Sequence, residues 1–295
     1  MSSGDTAESS TETEAVEPPE ITRETIHHVD DPYFTDGNVA IVTGGASGIG
    51  QATAVALAAN GLTVIATDID ETGLEETRDI AADVDADGPV VAVPADLSSD
   101  EDVESIVATA AEHGAIKYLA NIAGLQHIDS IAEFPMEQYD LMHDVMLRAP
   151  LYLTKLAWPH IEESEDGVGA VGNMASVHGH YVTHDKVAYN IVKFGIRGLT
   201  QSIAAEGDGR IRGFSISTGY VKTPLVTDQI PDTAEQRGIS VQEVIEDVML
   251  GQARTKEMMT PMDVGNLFTI GFSELGQHLN GGDLPWDGGM MSTYE

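Results

Sequence analysis

The sequence contains no cysteine and few basic residues. Among its 295 residues, Lys and Arg number 14 against 49 Asp and Glu, which gives a formal net charge of −35. The absence of cysteine excludes disulfide bonds, thiolate metal sites and cysteine nucleophiles. Nucleic acids and anionic membranes are poor partners, because a phosphate-rich surface requires a basic footprint. No apolar run reaches the roughly 18 residues of a membrane span, so we predict a cytoplasmic protein without membrane contact.

The excess of acidic residues has two explanations. In molar salt the screening length falls to about 3 Å, so the self-repulsion of such a surface is suppressed while its carboxylates stay hydrated. The acidity is spread over the whole chain, which favours a protein adapted to a salt-rich cytoplasm. The alternative is a merely acidic, highly soluble protein.

The distribution of apolar residues predicts one α/β domain. Residues 1–35 are polar and acidic and lack apolar periodicity, so we predict a mobile, disordered N-terminal extension without a packing face. Over residues 36–295 short apolar runs alternate with helical patterns, beginning with a strand at 39–43 and an alanine-rich helix at 51–59. Such alternation is typical of βαβ units in a doubly wound parallel sheet. The pattern is interrupted at about 220–260, and we interpret this segment as a substrate lid.

A glycine-rich turn joins the first predicted strand to the first helix. It reads Thr-Gly-Gly-Ala-Ser-Gly-Ile-Gly over residues 43–50. Glycines there let the backbone approach a pyrophosphate, whose charge is met by free N–H groups and the helix dipole. Asp68 ends the next strand, where a carboxylate can accept hydrogen bonds from both adenosine ribose hydroxyls and would repel a 2′-phosphate. Because neither Ser47 nor Ile69 supplies a cation for such a phosphate, NAD is favoured over NADP.

The spacing T-G-x-x-x-G-x-G in this turn resembles that of the short-chain dehydrogenase/reductase family. Three further motifs match the family in order, namely Asp96-Leu97, Asn121-Ile122-Ala123-Gly124, and Ser176 followed by Tyr189-x-x-x-Lys193. The resemblance covers residues 38–290 and implies a Rossmann-type fold and an oxidoreductase. It implies that the cofactor contacts are Gly44, Ser47, Gly48, Ile49, Gly50, Asp68, Asp96, Leu97, Asn121, Ala123, Gly124, Tyr189, Lys193, Gly219, Val221 and Thr223.

The predicted catalytic residues are Ser176, Tyr189 and Lys193. Tyr189 and Lys193 stand four positions apart on one predicted helix and therefore face the same volume. An ammonium near a phenol lowers the pKa of the phenol from about 10 towards neutrality. We therefore expect Tyr189 to take the carbinol proton as hydride leaves, or to return it during reduction. Lys193 is also expected to hold the nicotinamide ribose, and Ser176 to donate a hydrogen bond to the developing alkoxide.

A closer resemblance surrounds this site. Segments such as Ser176-Val177-His178-Gly179 and Thr223-Pro224-Leu225-Val226 resemble the bacterial D-3-hydroxybutyrate dehydrogenases. The resemblance implies that the substrate carboxylate is bound by Gln126, His178, Lys186 and Gln229. A small carboxylate requires a cation with neutral donors around it, which Lys186 and its companions supply. We predict NAD-dependent interconversion of a short 3-hydroxy acid, D-3-hydroxybutyrate, and its 3-oxo acid, acetoacetate.

Four positions depart from the family pattern, one of which is Thr218, which stands before Gly219 where the family usually has proline. Met146 stands where the family has an asparagine that anchors a water in the proton relay, and a thioether is only a weak acceptor. Tyr220 and Met290 stand where the subfamily has tryptophan, so the pocket walls have changed. A larger or different secondary alcohol, or a 3-oxoacyl thioester, is therefore an alternative substrate. An NAD-binding redox sensor without turnover is a second alternative, motivated by Met146.

The three histidines at 178, 180 and 184 have a spacing that can suggest metal ligands. Without cysteine, and with a flexible loop between them, we predict no metal site.

The family resemblance also implies a homotetramer. Leu151, Leu153, Leu156 and Trp158 are more apolar than a solvated helix end requires, but core packing would explain them equally well.

Overall fold

Seven parallel strands form one sheet in the computed structural model, which describes residues 17–292. The strands are β1 (Asn38–Thr43), β2 (Thr63–Asp68), β3 (Val90–Pro94), β4 (Ala115–Asn121), β5 (Gly169–Met174), β6 (Ile211–Thr218) and β7 (Asp283–Trp286). Their order in the sheet is β3-β2-β1-β4-β5-β6-β7. The chain winds outwards from β1 to β3 and then returns to the other side of β1. Ligands of such sheets bind where the winding reverses, here between β1 and β4, outside the carboxyl ends of the strands.

Helices connect the strands. They are α1 (Gly48–Ala59), α2 (Glu71–Asp83), α3 (Asp100–His113), α4 (Met136–His143), α5 (Ala149–Glu162), α6 (Val187–Glu206), α7 (Pro224–Thr227), α8 (Gln229–Arg237), α9 (Val241–Glu243) and α10 (Pro261–Phe272). Two π-helical turns (Asp144–Arg148 and Val244–Met249) and three 3₁₀ turns (Arg23–Thr25, Val177–Gly179 and Glu274–Gly276) complete the inventory. Between residues 17 and 292, none of the helices combines the length and the apolar character that a bilayer crossing requires.

The sheet separates two apolar clusters. In β1, Ala40 and Val42 belong to the cluster shared with α1 and α10, whereas Val39 and Ile41 belong to the cluster shared with α3 and α5. A strand that is apolar on both faces is expected at the centre of a parallel sheet. Helices therefore cover both faces, and the predicted α/β, Rossmann-type doubly wound fold in a single domain is confirmed.

Part of the predicted N-terminal extension packs on the domain. Residues 1–16 of it lie outside the described residues. In residues 17–35, the side chains of Ile26 and Phe34 are buried in the cluster around α1 and α10. The expectation that residues 1–35 lack a packing face is therefore wrong for 17–35. The anchoring side chains are irregularly spaced, so neither a helical nor a strand period reveals them.

Two asparagines of the domain hold this segment in place. The Asn266 Oδ1 accepts a hydrogen bond from the backbone N–H of His27 at 2.8 Å, and the Asn60 Oδ1 accepts one from Val29 at 2.7 Å. Both asparagines are buried and also donate to backbone carbonyls of the segment. Bonds from buried amides to backbone fix the path of an otherwise irregular chain.

The segment predicted as a lid is largely helical. It contains α7, α8, α9 and the π-helical turn at Val244–Met249. Its apolar side chains form a separate cluster at the carboxyl edge of the sheet, together with Val177, Tyr181 and Met290. Beyond it, α10 and β7 are elements that the sequence pattern did not identify.

Candidate active site

The glycine turn between β1 and α1 forms a cradle that side chains could not occupy. Gly44 and Gly48 adopt φ values of 72° and 54°, in the left-handed region that favours glycine. A Cβ on Gly50 would lie 1.9 Å from the carbonyl oxygen of Gly44, and a Cβ on Gly44 would lie 2.9 Å from the Cα of Ala123. Only glycine permits this tight path, which is the backbone geometry that a bound pyrophosphate requires.

The first turn of α1 is open to an anion. Its N-cap, Ser47, makes no side-chain capping bond, and the first turn contains no acidic residue. The N–H groups at such a helix start lack intrahelical partners and carry the positive end of the helix dipole. The turn therefore fits the diphosphate of a dinucleotide.

A cavity of about 420 Å³ opens at the reversal of the sheet winding and is lined by this turn and by the ends of the strands. It is lined by every predicted cofactor contact except Asn121, and by Ser176. The remaining lining residues, which were not predicted as contacts, are Ile69, Ala95, Ile122, Leu125, Leu141, Val145, Met174, Ala175, Thr218, Pro224, Leu225 and Val226. Several of these directly follow or end a strand, so the rule that ligands bind outside the carboxyl ends would have found them.

Asn121 differs from the prediction. It is buried, and its amide donates to the Oδ1 of Asn173 at 2.8 Å. Asn173 in turn donates to the Oγ1 of Thr200 at 2.9 Å. Asn121 therefore ties β4 to β5 below the cavity instead of lining it.

Asp68 ends β2 at the cavity. Its Oδ2 accepts a hydrogen bond from the Ala46 N–H at 3.3 Å, and its Oδ1 accepts one from Asp70 at 3.1 Å. These bonds orient the carboxylate. Among the described residues that line the cavity, Lys193 is the sole cation, and it lies with Ser176 and Tyr189 at the end that we call the catalytic end, after their predicted role.

Tyr189, Lys193 and Ser176 converge at one end of the cavity. Lys193 is buried in α6, its Nζ donates to the Met174 carbonyl at 2.7 Å, and it lies 5.4 Å from the centre of the Tyr189 ring. Burial lowers the pKa of Lys193 to about 8. A hydrogen bond from the Ser176 side chain favours the phenolate of Tyr189.

Burial nevertheless raises the pKa of Tyr189 to about 12, against the smaller lowering effect of Ser176. The expectation that Lys193 brings this pKa towards neutrality is therefore wrong. The enclosed position disfavours the phenolate, while the ammonium is engaged with the Met174 carbonyl. At neutral pH the Tyr189 phenol is protonated.

His178 packs beside Tyr189. The two rings are 5.7 Å apart in an edge-to-face arrangement, and the His178 Nε2 lies 3.0 Å from the Thr183 hydroxyl. Burial, with the charges of Lys186 and Lys193 nearby, lowers the pKa of His178 to about 4. The imidazole is therefore neutral near pH 7 and can offer a hydrogen bond but no charge.

Of the other predicted carboxylate contacts, Lys186 lies near enough to His178 for its charge to act on the imidazole. Lys186 precedes α6, and burial lowers its pKa. It pairs with Asp129 in an isolated parallel bridge, which fastens the loop after β4 to the start of α6. In the same loop, the Gln126 Nε2 donates to the Gln229 Oε1 of α8 at 3.4 Å. None of Lys186, Gln126, Gln229 and His178 is among the residues that line the 420 Å³ cavity. His178 adjoins the cavity through its contacts with Ser176 and Tyr189, and Gln126 follows the lining residue Leu125.

Met146 lies in the π-helical turn at Asp144–Arg148 and is buried. It packs in an apolar cluster with Met142, Ala188 and Val192, against which Tyr189 also rests. In these surroundings the thioether offers no donor to a proton relay, whereas the Met174 carbonyl contacts Lys193 directly.

The histidines at 178 and 180 point to different partners. The His180 Nε2 lies 2.6 Å from the Asp283 Oδ2 and 3.2 Å from the Ser217 hydroxyl, on β7 and β6. Within the described part of the chain, no group of three or more His, Asp or Glu side chains could hold a metal ion.

Comparison with known proteins agrees with this geometry. The family model described as enoyl-(acyl carrier protein) reductase matches residues 44–291. A D-beta-hydroxybutyrate dehydrogenase of Rhizobium meliloti is 34% identical over 85% of this chain and 97% of its own, and one of Cupriavidus necator is 31% identical over 87% and 99%. A solved structure from Beutenbergia cavernae superimposes with a TM-score of 0.77 at 25% identity, covering 88% of this chain and all of that one. That protein is assigned as an NAD(P)-dependent gluconate 5-dehydrogenase and holds NADP at low occupancy. The glycine cradle, the Ser-Tyr-Lys constellation and these matches together place the chain in the short-chain dehydrogenase/reductase family, as an oxidoreductase that uses a nicotinamide cofactor.

Proposed function

We propose that this oxidoreductase interconverts a short D-3-hydroxy acid and its 3-oxo acid, with D-3-hydroxybutyrate and acetoacetate as the reference pair and NAD as cofactor. The main support is the position of neutral His178 beside Tyr189, with the positive charge of Lys186 near that histidine. The two hydroxybutyrate dehydrogenase relatives, each covered almost completely, give independent support.

Tyr189 exchanges the proton in this mechanism. During oxidation its phenolate takes the hydroxyl proton while the C–H electron pair leaves as hydride, and during reduction its phenol returns that proton to the alkoxide. A bound nicotinamide supplies the hydride acceptor or donor. Ser176 donates to the same oxygen, where negative charge develops. Because burial raises the pKa of Tyr189 to about 12, its phenol is protonated at neutral pH and can donate the proton that reduction requires. Oxidation requires the phenolate and is therefore favoured as the pH rises.

The cofactor preference rests on Asp68. Its oriented carboxylate can accept hydrogen bonds from two ribose hydroxyls, and Ile69 beside it is apolar and largely exposed. A 2′-phosphate would meet a negative charge there, and the described residues that line the cavity include no cation except Lys193, which lies with Ser176 and Tyr189.

The substrate carboxylate is bound by one cation and neutral donors. Lys186 supplies the charge, and neutral His178, Gln126 and Gln229 supply hydrogen bonds. The partly buried position of Lys186 strengthens its attraction for the carboxylate, because screening by solvent is reduced there.

The test measures NADH formation at high KCl with D- and L-3-hydroxybutyrate. Tyr189→Phe should reduce kcat/KM for the D-enantiomer by roughly 100-fold or more. Tyr152→Phe, a control on α5 that does not line the cavity, should change it little. Lys186→Met should raise KM by roughly 30-fold or more with a smaller effect on kcat, with exposed Lys155→Met as its control. Turnover of another alcohol, with none of either hydroxybutyrate, would contradict the substrate and leave the roles of Ser176, Tyr189 and Lys193 intact.

We further infer that the protein is a homotetramer. Leu151 on α5, with Ile191 and Phe194 on α6, has more than two fifths of its surface exposed, whereas Leu153 is fully buried in the core. An exposed apolar surface on two adjacent helices is suited to contact with another copy of the chain. Light scattering of the wild type and of Phe194→Lys tests this, since a monomeric wild type would contradict it.

A further inference from the structure

A second cavity lies between the lid and β7. Its volume is about 310 Å³, near the lower end of the roughly 300–1,000 Å³ typical of ligand sites. Most of the lining is apolar, and the residues are Tyr220, Leu250, Ala253, Thr255, Glu257, Met259, Pro285, Trp286, Asp287, Gly288, Gly289 and Met290. The cofactor and the predicted carboxylate contacts do not account for it.

The second cavity adjoins the catalytic end of the first. Gly219 and Val221 line the first cavity, and Tyr220 between them lines the second. The Gly219 N–H donates to the Trp286 carbonyl at 3.3 Å, and this bond forms part of the boundary between the two cavities at the ends of β6 and β7.

A line of side-chain contacts leads from the catalytic tyrosine to this boundary. The Tyr189 ring packs against His178 at 5.7 Å, and His178 packs against Tyr181 at 5.6 Å between ring centres. The Tyr181 hydroxyl contacts the Met290 Sδ at 3.2 Å. The wall between Tyr189 and the second cavity therefore consists of Tyr220, Tyr181 and the thioether of Met290, which is a flexible side chain that adapts to different shapes.

The charges around the second cavity define what can enter. Glu257 and Asp287 are its charged residues, and the Asp287 carboxylate accepts bonds from the Gly289 and Met291 N–H groups. A carboxylate would be repelled there and is attracted instead to Lys186, near His178. In the proposed function, a hydroxy acid has its charged end near Lys186 and its carbinol at Tyr189. The rest of its chain can then extend towards the second cavity.

We propose that the cavity between the lid and β7 binds the alkyl chain of 3-hydroxy acids longer than hydroxybutyrate. This inference rests on the proposed function and extends its substrate class from short to medium-chain 3-hydroxy acids. Each methylene buried there should raise kcat/KM about fourfold, by the usual free energy of burying a CH₂ group.

Trp286 provides a direct probe of chain binding. The sequence has two tryptophans, of which Trp286 lines the cavity and is 45% exposed, while Trp158 packs against the core on α5. Titration with octanoate, with NAD present and absent, should shift the tryptophan emission to shorter wavelength and saturate. Trp158→Phe should keep this response and Trp286→Phe should lose it. Butyrate, with the same charge and a short chain, should give no shift, and equal responses to butyrate and octanoate would overturn the proposal.

A turnover series complements the binding experiment. The wild type should process D-3-hydroxyhexanoate and D-3-hydroxyoctanoate with higher kcat/KM than D-3-hydroxybutyrate. Ala253→Leu fills the cavity from its wall and should lower the octanoate-to-butyrate ratio of kcat/KM about tenfold or more. Ala111→Leu makes the same change at an exposed position of α3 and should leave the ratio unchanged.

The outcomes separate the two proposals. Turnover of 3-hydroxybutyrate without any gain for the longer acids, and without an emission shift, overturns the chain cavity and leaves the proposed function standing. Absence of turnover with every acid in the series overturns both. Should Ala253→Leu fail to fold, the wild-type chain-length series and the Trp286 titration still decide.

Discussion

Asp68 is expected to decide which nicotinamide dinucleotide the protein uses. Its carboxylate is held by backbone N–H groups at 3.3 and 3.1 Å, which leaves further lone pairs for two ribose hydroxyls. A hydrogen bond to a charged group contributes about 1.5–3 kcal/mol. Asp68→Ala should therefore lower kcat/KM for NAD by about 10- to 150-fold.

The same carboxylate should exclude NADP. Two unit charges about 4 Å apart repel by about 1 kcal/mol in water and by more near a protein surface, and a phosphate carries about 1.5 to 2 charges at neutral pH. Together with the lost ribose bonds, this gives the wild type an expected preference for NAD of about 100-fold or more. Asp68→Ala should reduce that ratio about tenfold or more, because it removes both effects.

The assay compares kcat/KM for NAD and NADP in the wild type, Asp68→Ala and Asp70→Ala. Asp70 is the matched control, because its carboxylate accepts from the Thr72 N–H at 3.1 Å and caps α2 without lining the cavity. Its loss should cost about 1 kcal/mol of stability and leave the cofactor ratio unchanged. Equal use of NAD and NADP by the wild type, or the same shift in both variants, would refute the role of Asp68.

Three further outcomes follow from the contacts of single residues. The Arg212 guanidinium donates to four carbonyls at the end of α10 and in the turn after it. Arg212→Met should therefore lower the free energy of unfolding by about 2–4 kcal/mol in denaturant unfolding. The control Arg210→Met, at an exposed position, should lower it by less than about 1 kcal/mol. The pKa of His178 is lowered to about 4 in the folded protein, so as the pH falls the imidazole is protonated first in the unfolded chain. The free energy of unfolding of the wild type should therefore fall by roughly 3 kcal/mol relative to that of His178→Gln between about pH 6.5 and pH 4. Parallel curves of unfolding free energy against pH for the two proteins would contradict this. Gly50→Ala should abolish cofactor binding in a fluorescence titration, because its Cβ would lie 1.9 Å from the Gly44 carbonyl oxygen, and unchanged affinity would show that the turn can rearrange.

The parts of the site that the sequence determined are those in which function depends on local spacing. The glycine turn needs its glycines in one order to pass from β1 into α1, and the acidic end of β2 follows at a fixed distance along the chain. Tyr189 and Lys193 share a helix face because they are four residues apart. The absence of cysteine and the alternation of strands and helices are likewise evident from the sequence alone.

Tertiary structure decided whatever depends on residues far apart in the chain. Burial, a property of the whole fold, raises the pKa of Tyr189 instead of leaving Lys193 to lower it, and it makes His178 neutral. The packing of residues 17–35 depends on hydrogen bonds to Asn60 and Asn266. These asparagines are far from the segment in sequence, so no local periodicity predicts the pairing. The cavity between the lid and β7 exists for the same reason, since its walls come from segments more than 60 residues apart at their extremes and are brought together only by the sheet.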